Sequence, residues 1–296
     1  MEPPKTIQSA GLIGWLPLVV LPLGALALYN LLQPWVFMWI LAVSIYFGLK
    51  WLTWRKARGR IPHAPWRSIA YLLAWPGMDA DSFLDARKVA PPPRLRDWIR
   101  AVLETSLGVI LLWFVARNLP QGQVLLRGWI GMLGLILLLH FGSFQILALF
   151  WQGLAVVATP IMSAPLRSES LSEFWGKRWN LGFRQLSYDL IFGPLHRRLG
   201  AGLTTFLVFV VSGLIHDLVI SVPARGGYGF PTAYFMLQGL GVTIERSSSG
   251  KRVGLQKGVR GWLFMAVVTV GPVFWLFHPP FVMHVIIPFM KAIHAL

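Results

Sequence analysis

Cysteine is absent from the 296-residue sequence. Without a thiol, the chain cannot form a disulfide, ligate a metal through sulfur or carry an acyl group on a thiolate. Charged residues are also scarce, at 13% of the sequence against about 25% in an average soluble domain. Hydrophobic residues make up 55%, and the mean hydropathy is +0.61. These proportions exclude an ordinary soluble enzyme and predict an all-α, polytopic integral membrane protein.

Acidic residues are few, with 11 Asp and Glu against 27 Lys and Arg, which gives a formal net charge of +16. In a soluble protein this excess would indicate a nucleic-acid partner. Here the basic residues concentrate in three loops, at residues 55–100, 167–200 and 246–260, as they do in the cytoplasmic loops of membrane proteins. We therefore expect these loops and the N-terminus to be cytoplasmic, with anionic lipids and not nucleic acid as the partner of the charge.

Eight apolar segments come close to the roughly 20 residues that cross a bilayer. They are residues 11–29, 34–52, 101–119, 128–151, 201–221, 230–244, 261–277 and 281–296. The first is expected to be a retained helix, and the last is marginally short. No internal repeat or shift in composition divides the chain. We predict about eight transmembrane helices in a single domain over residues 1–296.

Two more segments are apolar but too short to span the membrane. Residues 70–80 contain a Pro-Gly pair and are predicted to be interfacial or re-entrant. In the other segment, four aromatic side chains would fall mostly on one face of a helix, the pattern of a helix lying in the membrane interface. They are Phe174, Trp175, Trp179 and Phe183.

Histidine occurs in the middle of two apolar segments, as His140 and His216. An ionisable side chain inside a membrane segment is costly and indicates a functional site by default. For His140, a helix-packing hydrogen bond and a polar wall of a substrate cavity both remain open. His216 precedes Asp217, which would point about 100° away on a helix and is not assumed to pair with it.

One block of sequence precedes the second histidine, and another contains it. Residues 173–180 read Glu-Phe-Trp-Gly-Lys-Arg-Trp-Asn, and residues 212–217 read Ser-Gly-Leu-Ile-His-Asp. The pair resembles the signature of the membrane-bound O-acyltransferases, most closely the wax synthase branch with its Phe-Trp-x-x-x-Trp-Asn and Ser-Gly-x-x-His blocks. Residues 71–79 and 226–232 are similar to bacterial wax synthase-like proteins, so the resemblance covers about residues 71–246.

The resemblance implies an all-helical membrane fold and transfer of a fatty acyl group from acyl-CoA to a lipophilic alcohol, in the inner membrane of a bacterium. It makes His216 the expected catalytic base and Asn180 its partner. Acyl-CoA is the expected co-substrate, with no other cofactor and no metal. A long-chain alcohol is the favoured acceptor, with a sterol or terpenoid alcohol or a diacylglycerol as alternatives. The oligomeric state is left open.

The residues themselves suit this chemistry. A neutral alcohol is a poor nucleophile, and a histidine can take its proton at neutral pH. Charge that develops on the thioester oxygen needs a donor, which Asn180, Trp179 or a backbone N–H could supply. Because cysteine is absent, we expect direct transfer without a covalent acyl-enzyme. The candidate substrate-binding residues are Trp175, Trp179, Lys177, Arg178, Arg184, Ser212, Asp217 and His140.

The three basic residues of that set have two interpretations. Lys177, Arg178 and Arg184 could bind the phosphates of acyl-CoA at the cytoplasmic mouth of a cavity. They could equally be ordinary positive charge on a cytoplasmic segment.

Three other functions deserve comparison. Asp79, Asp81 and Asp85 are spaced like the magnesium-diphosphate motif of membrane prenyltransferases, but a second Asp-rich block is missing from the sequence. Ser212 and His216 lie one helical turn apart, which an intramembrane serine hydrolase would need, although a packing role is favoured for the serine. A transporter or scaffold is the non-enzymatic alternative, but the repeats common in transporters are not found.

Overall fold

The computed structural model describes residues 11–296, and no β-strand occurs in that range. The predicted all-α fold is confirmed. In chain order the helices are α1 (Gly11–Leu26), α2 (Pro34–Arg58), α3 (Pro65–Ala74), α4 (Ala80–Leu84), α5 (Leu95–Asn118), α6 (Val124–Gly153), α7 (residues 171–178), α8 (Leu181–Ala224), α9 (Phe230–Arg246), α10 (Ser248–Val253), α11 (Gly258–Leu276) and α12 (residues 279–292).

Within the described residues, five helices are long and apolar enough to cross a membrane, namely α2, α5, α6, α8 and α11. The protein is therefore an integral membrane protein of several helices. The other three predicted spans also form helices, but α1 has 16 residues, α9 has 17 and α12 is shorter still. These lengths fall below the roughly 20 residues that cross the hydrocarbon core. The count of eight crossings and the single domain over residues 1–296 stay predictions.

The segment predicted to be interfacial or re-entrant at residues 70–80 begins earlier, as α3, and breaks at Trp75-Pro76-Gly77 as expected. One face of the segment is buried in the protein. Tyr71 is fully buried, and the buried ammonium of Lys50 from α2 lies 3.2 Å from the centre of its ring. The same ammonium donates to the carbonyl of Gly77 at 2.8 Å. A broken backbone is tolerated here because it is buried in protein and its carbonyl has a partner.

The interfacial helix predicted through residues 174–183 is wrong, because the chain breaks between α7 and α8. Trp179 is extended, and Asn180 takes left-handed backbone angles with φ 42° and ψ 62°. The break is held from outside the segment: Leu181 donates its N–H to Ile161 at 2.9 Å, and Ser163 donates to Arg178 at 2.8 Å. Two residues of the non-helical segment 159–164 thus satisfy backbone groups that the break leaves free.

Helix α8 carries much of the segment that the charge pattern assigned to a loop. It runs through residues 181–224 but kinks at Gly200, where φ is 76° and ψ is 160°. We call the part before the kink α8a and the part after it α8b. Helix α9 packs antiparallel on α8b, and Gly213 lies so close to Thr232 that a Cβ would meet its backbone. This close approach of two helices sets the position of the candidate site.

The kink gives a first prediction. Gly200→Ala places an alanine in a backbone region that is essentially restricted to glycine, at a cost of about 1–3 kcal/mol, although its Cβ would meet no atom within 4 Å. The control Gly202→Ala also meets no atom but has helical angles, so it should be neutral or stabilise by up to about 1 kcal/mol. Thermal unfolding in detergent compares the two variants. Equal stability of both would contradict the kink.

Candidate functional site

Helices α7, α8 and α9 enclose a cavity of about 330 Å³. Its walls include residues from both sides of the kink, such as Tyr188 and Thr205. Both members of the sequence-predicted catalytic pair, His216 and Asn180, line it. Of the predicted substrate-binding residues, four also line it: Trp175, Trp179, Arg184 and Ser212.

The imidazole of His216 is held from two directions. Its Nδ1 lies 2.7 Å from the carbonyl oxygen of Ser212, one turn earlier in α8b. A carbonyl only accepts, so in the neutral ring Nδ1 carries the proton and Nε2 keeps a lone pair. The ring of Phe235 from α9 packs against it with centroids 4.3 Å apart. The arrangement leaves Nε2 as the ring atom suited to accept a proton.

The side-chain amide of Asn180 offers an acceptor, Oδ1, and a donor, Nδ2. Its Oδ1 accepts a hydrogen bond from the N–H of Phe183 at 3.1 Å and so caps the first turn of α8. Asparagine tolerates left-handed angles better than most residues, which suits it to this break. Because Oδ1 is engaged in the cap, the orientation of the amide is fixed and Nδ2 is the group left to donate toward a bound molecule.

Two tryptophan side chains also line the cavity, Trp175 of α7 and Trp179 just after its end. Trp179 stacks on Phe174, with ring centroids 5.4 Å apart. Trp175 donates its indole N–H to the carboxamide oxygen of Gln238 at 3.3 Å, and Gln238 in turn donates to the carbonyl of Val268 at 2.8 Å. The aromatic face that was expected to meet lipid instead forms the wall of the cavity.

Residues 158–237 match the model of the membrane bound O-acyl transferase family, and this stretch contains both Asn180 and His216. Over this stretch the chain is similar to the membrane-bound O-acyltransferases. It is 32% identical over 139 residues to the long-chain-alcohol O-fatty-acyltransferase of Simmondsia chinensis, over 42% of this chain and 39% of that protein. It is also 29% identical over 133 residues to acyl-CoA–sterol O-acyltransferase 1 of Arabidopsis thaliana, over 41% and 38% of the two chains. The matches thus span about two fifths of the length of these relatives.

The basic residues in and beside the cavity separate into two groups. Arg184 lines the cavity, and so does Arg246 at the end of α9, which the sequence did not single out. Arg178 does not line it, because its guanidinium pairs with Glu173 at 2.7 Å. The N–H of Glu169 and then this guanidinium lower the pKa of the Glu173 carboxyl. Lys177 is exposed and is not a lining residue.

Two further predicted substrate-binding residues, Asp217 and His140, do not line this cavity, and their assignment to substrate binding stays a prediction. Asp217 points toward the turn before α9, where its carboxylate accepts from the N–H groups of Gly229 and Thr232. His140 lies on α6 with its ring edge-to-face against Phe144. Its Nδ1 is buried and has no hydrogen-bond partner among the described residues. Helical rotation explains the aspartate, because its neighbour His216 faces the cavity.

The aspartates of the prenyltransferase alternative are each engaged elsewhere. Asp79 caps α4 by accepting from the N–H of Ser82 at 3.0 Å, and Asp81 pairs with Arg60 at 3.0 Å. The hydrogen bond from Arg87 lowers the pKa of Asp85 to about 2. Within residues 11–296 no group of three or more His, Asp or Glu is arranged to hold a metal ion. The spacing that resembled a diphosphate motif therefore serves local structure.

One buried carboxylate that the sequence did not reveal holds α7 in place. Glu245 is 1% exposed, and it accepts hydrogen bonds from the N–H groups of Leu171 and Ser172 at the start of α7. A carboxylate at a helix N-terminus is stabilised by these amides and by the helix dipole. Gln238 and Glu245 are seven residues apart on one face of an otherwise apolar helix, and that spacing was the available signal.

The carboxylate gives a second prediction. Glu245→Ala leaves two buried N–H groups without an acceptor and should cost at least about 2 kcal/mol in the free energy of unfolding, whereas Glu245→Gln keeps an acceptor and should cost less. Glu104→Ala is the control, since Glu104 forms a helical ion pair with Arg100 that is worth about 0.3–0.5 kcal/mol. Unfolding in detergent measures all three. A Glu245→Ala cost no larger than that of the control would contradict the buried clamp.

Proposed function

We propose that this protein is a membrane O-acyltransferase that moves a fatty acyl group from acyl-CoA to the hydroxyl of a lipophilic alcohol. The observation that carries the proposal is an imidazole in a largely apolar cavity that Asn180 also lines, with no hydrogen-bond partner for its Nε2 among residues 11–296. The names of the two relatives, one for long-chain alcohols and one for sterols, agree with a neutral ester as the product.

The proposed reaction is a direct transfer. Nε2 of His216 takes the proton of the alcohol as its oxygen attacks the thioester carbonyl carbon. The carbon–sulfur bond of the tetrahedral intermediate then breaks, and the imidazolium returns the proton to the leaving thiolate of CoA. The products are the ester and free CoA, so protons and electrons balance without a covalent acyl-enzyme.

Asn180 would act on the oxygen of the same carbonyl. This oxygen gains negative charge in the intermediate, and a fixed N–H donor stabilises that charge without having to reorganise. The cap to Phe183 fixes the amide in advance, and Nδ2 is the donor. The left-handed break of the backbone thus has a consequence for the reaction as well as for the fold.

The dimensions of the cavity support acyl-CoA as the donor. Thr205 and His216 both line the cavity on α8b and lie roughly 16 Å apart along the helix at about 1.5 Å per residue. Phe235 and Arg246 on α9 have the same separation. The pantetheine arm of CoA has about 12 chain bonds between phosphate and sulfur, which at roughly 1.2 Å per bond of extended chain span about 14 Å. Phosphates near Arg184 and Arg246 would therefore place the thioester beside His216.

The geometry of the site supports this reaction better than a serine hydrolase or a transporter or scaffold. A serine hydrolase needs the histidine to accept from the hydroxyl of Ser212, but the ring is bonded to that residue's backbone carbonyl. A transporter or scaffold offers no reason for a histidine and a capped asparagine to line one cavity. Lipophilic alcohols are the acceptors that an apolar cavity in a membrane protein would admit, and a long-chain alcohol is the one that we propose.

The catalytic base is tested by His216→Ala and His216→Gln. Each should lower ester formation from labelled palmitoyl-CoA and hexadecanol by at least about a hundredfold, because general base catalysis is lost. His140→Gln is the matched control, since His140 lies in another membrane helix and outside the cavity. A near-normal rate for folded His216→Ala, or an equal loss in the control, would contradict the assignment.

The donor role of Asn180 can be separated from its capping role. Asn180→Asp keeps an acceptor for the cap and should leave stability within about 0.5 kcal/mol of the wild type, whereas Asn180→Ala loses the cap and should cost about 1 kcal/mol. Both variants lose the Nδ2 donor, so both should transfer acyl groups about 10²–10³-fold more slowly. Thermal unfolding and ester formation are measured together. An active Asn180→Asp would remove the amide from the reaction.

Access to acyl-CoA requires the mouth of the cavity to face the cytoplasm, in keeping with an N-terminus inside and a bacterial inner membrane. Single cysteines at the exposed positions Lys88→Cys and Ser249→Cys should resist a membrane-impermeant maleimide in intact cells and react after the cells are opened. Gln121→Cys, in the turn between α5 and α6, should react from outside. The native chain has no competing thiol. Labelling of Ser249→Cys from outside would place Arg246 on the wrong face for acyl-CoA.

A further inference from the structure

Helix α9 begins without a cap of its own. Its N-cap residue is Gly229, which has φ 84° and no side chain to accept from the first turn. Asp217 of α8 supplies the missing acceptor. Its carboxylate accepts from the N–H of Gly229 at 2.8 Å, the N–H of Thr232 at 3.0 Å and the hydroxyl of Thr232. A charged acceptor at a helix N-terminus is also favoured by the helix dipole.

The carboxylate is itself held in place by a second set of hydrogen bonds. Ser221, one turn later in α8, donates to Asp217 at 2.8 Å and lies 3.2 Å from Nε2 of His278. Nδ1 of His278 accepts from the N–H of Phe281, so Nε2 carries the proton and donates to the serine. Both oxygens of Asp217 are occupied by these partners. The carboxylate of Asp217 is therefore held in one orientation.

The cap is connected to the imidazole through α9. Thr232 lies three residues before Phe235, whose ring packs on the ring of His216 at 4.3 Å between centroids. Thr232 also packs against Gly213 of α8b, where a Cβ on the glycine would have no room against the backbone of Thr232. A shift of the first turn of α9 would therefore move Phe235 relative to His216, and tightly packed interiors transmit such shifts.

We propose that Asp217 is a positioning residue for His216 that acts through Thr232 and Phe235 without touching the imidazole or the substrate. The aspartate caps α9, and the capped helix holds the aromatic face against which His216 is oriented. This inference rests on the proposed function in one respect, that His216 is the base. It explains why an aspartate directly after the histidine contributes although it points away from the cavity.

The kinetic test uses Asp217→Asn. Asparagine keeps the shape of the aspartate side chain but has no charge and only one acceptor oxygen. We expect kcat for ester formation to fall about tenfold to a hundredfold, as small displacements of a catalytic group produce, while KM for acyl-CoA changes less than about threefold. Asp189→Asn is the control, because Asp189 lies on the same helix but is exposed and outside the cavity. An unchanged kcat in folded Asp217→Asn would overturn the proposal.

Two substitutions of Thr232, which connects Asp217 to Phe235, test the connection. Thr232→Val removes the hydroxyl donor to Asp217 and should lower kcat in the same direction, whereas Thr232→Ser keeps the hydroxyl and should restore a rate near that of the wild type. This pair decides the proposal even if Asp217→Asn fails to fold. Equal rates for the valine and serine variants would overturn it.

A spectroscopic readout is independent of catalysis. Protein labelled with ¹⁵N in its histidine rings should show a His216 signal, assigned by its loss in His216→Gln, of a neutral ring with the proton on Nδ1. Asp217→Asn and Thr232→Val should shift this signal, and Asp189→Asn should not. If the wild type transfers no acyl group, the proposed function fails but the spectra still test the positioning. Unchanged His216 signals in both variants would overturn the inference.

Discussion

The close antiparallel packing of α9 on α8b is the interaction on which the site depends. Gly213 and Thr232 allow the two backbones to approach closely, and polar groups buried along α9 then connect it to its neighbours. Thr232 binds Asp217 of α8, Gln238 binds Trp175 of α7, and Glu245 binds the first amides of α7. Lipid tails are as apolar as the side chains of a helix, so burial of apolar groups does little to select one helix as the partner of another in a membrane. Close contacts and hydrogen bonds determine which helices associate instead.

This arrangement explains how two distant sequence blocks reach one cavity. The first block lies on α7 and at its break, and the second lies on α8b, yet each is attached to α9. The helix therefore fixes the distance between Asn180 and His216 without a direct bond between them. Satisfied hydrogen bonds are costly to break in a low dielectric, so the geometry is set before any substrate binds.

Much of the fold follows from local sequence. The apolar segments predicted the main helices to within several residues, and the paired blocks singled out Asn180 and His216, which both line the cavity. The break at Asn180 was missed because aromatic residues at spacings of one and four imitate a continuous helix. The decisive bonds come from residues 159–164, which are distant in sequence. Arg246 was assigned to a basic cytoplasmic loop and Glu245 was given no role, since the charge pattern does not show that a carboxylate is buried against a helix end.

We propose that the cavity between α8 and α9 receives the acyl-CoA donor with its thioester at His216. Cryo-electron microscopy of the protein with a non-reactive thioether analogue of palmitoyl-CoA would show this. We expect the thioether sulfur beside Nε2 of His216, the adjoining carbon chain in the apolar part of the cavity, and the phosphates beside Arg184 and Arg246. Density for the analogue in another cavity, or with its phosphates on the opposite face near the α5–α6 turn, would contradict it.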